Sequence, residues 1–151
     1  MAETAGPEVA SWRRALAYWW YAWGLSWCHW GLRTTNQSFF RAGIRSFDRA
    51  VRVWPQFAAG FYRRGLIRGR ELSDHRAGIA DLTRAIELEP AWSLPYLQRG
   101  LFQRFHGDSR AALADLQRYV DLAEDQFWRG EAERQIAMIQ AELDDNMQPE
   151  T

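Results

Sequence analysis

Lysine is absent from this 151-residue chain, so arginine alone supplies its 19 basic side chains, against 19 Asp and Glu. Cysteine occurs once, as Cys28, which excludes an internal disulfide and with it a disulfide-stapled secreted scaffold. A reducing, cytoplasmic setting is the expectation. Carboxylates are scarce in the first half: residues 1–70 hold eleven Arg against Glu3, Glu8 and Asp48, giving +8. Residues 71–151 hold eight Arg against sixteen carboxylates, giving −8, so the neutral chain is a charge dipole. Such asymmetry marks the end that meets an anionic surface or partner, or else a solvated face. The marks of catalysis are missing too. No Gly-rich phosphate loop occurs, the carboxylates are scattered, and His29, His75 and His106 show no ligand spacing with Cys28 or one another. The expectation is a non-enzymatic protein with no metal and no cofactor. His29 reads as packed, and His75 and His106 as solvated. Glu3 and Glu8 precede the first apolar stretch with no small-residue cleavage site, so the start does not read as a secretory signal.

What is present is a repeat. Trp30-Gly31-Leu32 recurs as Arg64-Gly65-Leu66 and Arg99-Gly100-Leu101, with the glycines 34 and then 35 residues apart. A second phrase keeps step: Arg41-Ala42-Gly43-Ile44 recurs as Arg76-Ala77-Gly78-Ile79, and Arg49-Ala50 before Pro55 recurs as Arg84-Ala85 before Pro90. An internal period near 34 residues implies stacked helical hairpins that display a surface. In the second unit one helix spans about Ala58 to Arg70, Ser73-Asp74 starts another, and Pro90 stops it after Leu88.

These places resemble the tetratricopeptide repeat: a large residue, Gly four positions later, a small residue where the helices touch, a large apolar residue, Ala and a closing Pro. The first unit holds Trp27, Gly31, Gly43, Phe47, Ala50 and Pro55; the second Phe61, Gly65, Gly78, Leu82, Ala85 and Pro90; the third Tyr96, Gly100, Ala112, Leu116, Tyr119 and Glu124. Thr34, Arg68 and Gln103 depart from the family's usual Tyr. The expected fold is all-α: an α-solenoid of three such hairpins with an extended aromatic first helix and a C-terminal capping helix. The expected divisions are a flexible head at 1–10, repeats at 11–57, 58–92 and 93–126, a capping helix at 127–143 and a flexible tail at 144–151. Trp128, Ala132, Ile136, Ile139 and Leu143 form the apolar face of that cap.

The repeat does not explain the density of tryptophan between residues 12 and 30. At 100° per residue, Trp12, Leu16, Trp19, Trp20, Trp23, Trp27 and Trp30 share one arc of roughly 100°. Trp27 and Trp30 are expected to pack on the second helix of their own hairpin. That helix, about Phe39 to Val53, would cover the first only back to about Ala22. The expected attachment surface is therefore Trp12, Arg13, Arg14, Leu16, Tyr18, Trp19, Trp20, Tyr21 and Trp23. From Ala15 to Leu32 no charged residue occurs, and a helix apolar all round must be buried somewhere. The favoured cover is a protein partner or self-association. The alternative is a membrane-associated accessory subunit, interfacial or single-span, although Trp and Tyr prefer the interface to the bilayer centre.

The resemblance also implies a peptide groove on the inner curve. The matching places are Leu25, Cys28, Leu32, Ala59, Tyr62, Leu66, Leu94, Leu97 and Leu101, with Arg63, Arg70 and Arg104 at the edges. Members that grip a chaperone's C-terminal carboxylate use Lys and Asn there, which this chain lacks. An apolar or amphipathic helix or peptide, its acidic residues meeting the Arg rim, fits better. Nucleic acid is not expected: Arg41, Arg45, Arg49 and Arg52 follow the outer surface, while the inner face offers Leu. The expected function is a scaffold or adaptor for protein–protein interaction, attached through its Trp-rich helix.

Overall fold

The computed structural model describes residues 11–145, which form seven α-helices and, among the described residues, no strand. Helix α1 (Ser11–Thr34) pairs with α2 (Gln37–Val53), α3 (Ala58–Glu71) with α4 (His75–Leu88), and α5 (Ser93–Phe105) with α6 (Ser109–Leu122). The hairpins stack through α2 on α3 and α4 on α5, and α7 (Gln126–Asp145) closes the stack against α6. The head expected at 1–10 and residues beyond Asp145 lie outside the described residues. Asp144 and Asp145, expected in a mobile tail, belong to the last turn of α7.

The three hairpin turns use one device. Thr35 (φ 52°), Ser73 (φ 55°) and Gly107 (φ 88°) each enter the left-handed region and reverse the chain. The next residue is Asn36, Asp74 or Asp108, whose side chain accepts a hydrogen bond from the backbone N–H of Ser38, Ala77 or Ala111 at 2.9–3.1 Å. Each carboxyl or amide oxygen thus satisfies one of the orphan donors at a helix start. Pro55 and Pro90 stand two residues beyond α2 and α4, where they cannot continue a helix.

Within a hairpin, close approach is set by small residues under aromatic rings. The residues of α1 that are buried are Ala17, Gly24, Cys28 and Gly31. A Cβ added to Gly24 would lie 2.6 Å from the Phe47 ring, and one added to Gly31 would lie 2.8 Å from Phe40. The same relation joins the second hairpin to the third, where a Cβ at Gly69 would lie 2.3 Å from Phe102. Cover for α1 reaches Ala17, further than the expected Ala22, because Ala50 and Phe57 close over it and Tyr18 packs edge-on to Phe57 at 4.9 Å.

Between hairpins the stack is clamped by arginine. Arg64 of α3 donates two hydrogen bonds to Asp81 of α4, at 2.5 and 2.9 Å, and a third at 2.6 Å to Asp48 of α2. Arg99 of α5 repeats this, donating twice to Asp115 of α6 at 2.7 Å and once to Thr83 of α4 at 2.9 Å. Burial works against the Arg64 charge, but Asp81 and Asp48 outweigh it and hold the guanidinium above its ordinary range. The first hairpin lacks the device: Trp30 stands where the others have Arg, and buried Ser46 where they have Asp.

Two substitutions test this packing. Gly24→Ala forces a methyl into the Phe47 ring and should lower stability by about 1–3 kcal/mol, read as a drop in melting temperature; an unchanged melting curve would refute the close approach. Asp115→Ala leaves the Arg99 guanidinium partly buried without its carboxylate and should cost about 3 kcal/mol, whereas Glu87→Ala, which breaks an exposed pair with Arg84, should cost under about 1 kcal/mol.

Candidate protein-interaction surfaces

The first surface is a groove that crosses α1, α3, α5 and α7. Leu25, Cys28 and Leu32 of α1 face Arg63, Leu66 and Arg70 of α3 across a hollow of about 320 Å3. Arg70 also borders a second hollow of about 490 Å3, lined by Leu94, Leu97 and Leu101 of α5 and by Trp128 and Ala132 of α7. A third, beside Leu101, contains Arg104 and Gln135. Most of the expected groove residues therefore come together. Tyr62 does not join them, because it is buried in the core against Trp92 at 4.6 Å with Leu82 and Phe102. Leu66 is buried as well and serves as floor.

The walls are apolar and the rim cationic. Arg63 and Arg70 are exposed, and among the described residues each holds a neutral partner: Arg63 donates to the Tyr21 hydroxyl at 3.3 Å, and Arg70 to Gln98 Oε1 at 2.7 Å. Arg104 is different, since it donates to Gln135 and, at 2.7 Å, to Glu142 of α7. The closing helix thus already supplies the carboxylate expected from a client at that end. Burial, helped by the charge of Glu71 and opposed by Arg63, pushes the Cys28 thiol up to about 11. It stays protonated at neutral pH and packs as a small apolar side chain. Trp128, expected inside the cap's apolar face, stands instead at the groove edge and half exposed. Its position four residues before Ala132 was the available signal, but not the side on which the ring would fall.

The second surface is the outer side of α1. Trp12, Trp19, Trp23 and Trp30 are 49–61% exposed and lie on one stripe with Leu16. Their rings support one another: Trp19 stacks on Trp23 at 6.1 Å, and Trp23 meets Trp27 edge-on at 6.0 Å. Trp27 is half-buried against Phe39, as expected, but Trp30 is not packed on α2. The reason is volume: Gly31 and Gly24 occupy the contact edge, and the indoles beside them are turned outward. Trp20 is half-buried under the Arg49 guanidinium, 4.4 Å above its ring. Tyr21 is half-buried against Phe47 and Phe57. Tyr18 remains exposed, as do Arg13 and Arg14, whose guanidinium groups lie 5.5 Å from the Trp12 and Trp54 rings.

His29 is exposed, while His75 stacks on Phe105 at 5.5 Å and is half-buried, not solvated. His106 is exposed as expected. Among the described residues no cluster of His, Cys, Asp and Glu could hold a metal ion. Among the described residues no helix is long and apolar enough to cross a membrane, so nothing here supports the single-span alternative: α1 has the length, but its Trp, Tyr and His lower its hydropathy.

No family model matches the chain, and no curated protein matches it in sequence. Solved structures do match. The first TPR of Spaghetti (RPAP3) bound to the HSP90 peptide SRMEEVD is 18% identical over 86% of this chain and 94% of its own, with a TM-score of 0.74. The Yersinia enterocolitica type III secretion translocator chaperone SycD is 9% identical over 84% of this chain and 85% of its own, also at 0.74. The first TPR domain of human RPAP3 is 16% identical over 87% and 98%, at 0.73. At such identities the likeness is one of fold, and this chain has the tetratricopeptide-repeat fold, three stacked helical hairpins and a closing helix.

Proposed function

We propose that this chain is a non-enzymatic adaptor that holds a client segment in its groove and attaches to a protein partner through the Trp face of α1. The observation that carries the attachment is the stripe of four half-exposed indoles on one helix, with no described element covering it. Trp and Arg dominate interface energetics, and Arg13, Arg14 and Arg33 flank the stripe. For the groove, one structural neighbour holds the acidic peptide SRMEEVD. The groove here has apolar walls, no lysine, and two exposed arginines with neutral partners. Its client is an apolar or amphipathic helix or peptide carrying a carboxylate for Arg63 or Arg70, in the cytoplasm.

A panel of fluorescein-labelled peptides tests the client. An amphipathic Leu-rich helix with one or two Glu should bind more tightly than SRMEEVD, and Leu94→Asp with Leu101→Asp should weaken it by at least about tenfold. Equal binding by the double variant would remove the groove from the account. Vesicle flotation tests the attachment: the chain should stay with the protein fraction in the presence of anionic vesicles. Flotation with them, lost on Trp19→Ser with Trp23→Ser, would replace the protein partner by a membrane surface.

A further inference from the structure

The outer face of α1 has a defined place in the repeat. Trp30 precedes Gly31 as Arg64 precedes Gly65 and Arg99 precedes Gly100. In α3 and α5 that position reaches back to the second helix of the preceding hairpin, Arg64 to Asp48 of α2 and Arg99 to Thr83 of α4. The Trp stripe is therefore turned toward the side on which the later hairpins receive a helix.

The opposite end of the stack offers such a helix. Eight helical glycines of the hairpins would each bring a Cβ within 3.1 Å of a neighbour, but a Cβ at Gly130 in α7 would meet nothing within 4 Å. A half-buried helical glycine with open space at its Cβ weakens its helix with no packing cause within the chain. Ala137 and Ala141 continue this outward face, and Phe127 and Met138, both more than half exposed, border it. Arg134 crosses it but is drawn onto Glu131. Elsewhere in this fold aromatic rings sit on such small residues, Phe47 on Gly24 and Phe40 on Gly31.

The charges match in sign and spacing. Arg13 and Arg33 mark the ends of the α1 stripe, 20 residues apart; Asp125, just before α7, and Asp145, its last residue, are also 20 residues apart. Asp144 reinforces the C-terminal end of α7, whereas Arg14 is turned to Trp54 on the other side of α1. We infer that the partner of the Trp face is α7 of a second copy of this chain, laid antiparallel. Arg13 then meets Asp144 and Asp145, and Arg33 approaches Asp125, whose carboxylate also accepts from the Trp128 N–H at the start of α7. The antiparallel sense also sets the positive N-terminus of α1 against the negative C-terminus of α7. The inference rests on the reading of the Trp face as an attachment surface. Because α1 and α7 lie at opposite ends of the stack, the contact is heterologous: each added copy presents a new free face, and the assembly grows head to tail.

Sedimentation velocity of the full chain tests this. The average mass should rise with concentration past the dimer and fall as salt is raised. Trp19→Ser with Trp23→Ser should be monomeric, and so should Gly130→Arg with Ala137→Arg, both with the helical circular dichroism of the parent chain. An equimolar mixture of the two should double in mass and stop there, because each variant keeps the face the other lacks. A parent chain monomeric at every concentration, or a mixture that stays monomeric, overturns the inference. So does a dimer that survives Gly130→Arg with Ala137→Arg, which would mean that α1 pairs with α1. None of these results touches the peptide and vesicle measurements, so the adaptor reading stands or falls separately.

Discussion

The structure depends on how closely two helices can approach where glycine lies beneath an aromatic ring. Gly24 under Phe47 and Gly31 under Phe40 bring α1 onto α2 with no room for a methyl group. That contact fixes the rotation of α1 about its axis. Once the small edge faces α2, the residues roughly a third of a turn away must face outward, and those are the indoles of Trp12, Trp19, Trp23 and Trp30. The exposed aromatic face thus follows from the best-packed contact in the first hairpin.

The stack above it is held differently. Arg64 and Arg99 each hold a buried aspartate of their own hairpin, Asp81 or Asp115, and reach to the preceding hairpin through Asp48 or Thr83. Desolvation offsets much of the attraction in such pairs, whereas removal of one partner leaves a buried charge uncompensated. In the first hairpin Trp30 and Ser46 replace the pair. A side chain that would tie one hairpin to its predecessor is exchanged there for one suited to an apolar surface.

Much of this was legible in the sequence. The period, the glycines at helix contacts, the Asx starts and the prolines beyond α2 and α4 placed the helices to within a few residues, because each reflects a local steric or hydrogen-bonding requirement. The groove leucines followed from the same register. What was not legible was the rotation of α1 and the side of the Trp128 ring. Hydrophobicity ranks Trp30 above Gly31 as a core residue, whereas packing ranks them by volume. The spacing of Ala17, Gly24 and Gly31 at intervals of seven held that information. The longer cover over α1 was hidden for another reason: Phe57 lies after α2, outside the antiparallel partner, and returns to close over Ala17. Tyr62 misled similarly, since one helix offers both groove and core faces and Trp92 draws it inward.

The account's central claim is that the small edge of α1 faces inward and its indoles face outward. Hydroxyl-radical footprinting of the dilute chain, read by mass spectrometry for each tryptophan, measures this directly. Trp23 and Trp30 should be oxidised several times faster than Trp27, their neighbour on the same helix that stacks on Phe39. Protection of Trp30 equal to that of Trp27 would show that the Trp stripe packs inward, and the proposed attachment surface would be lost with it.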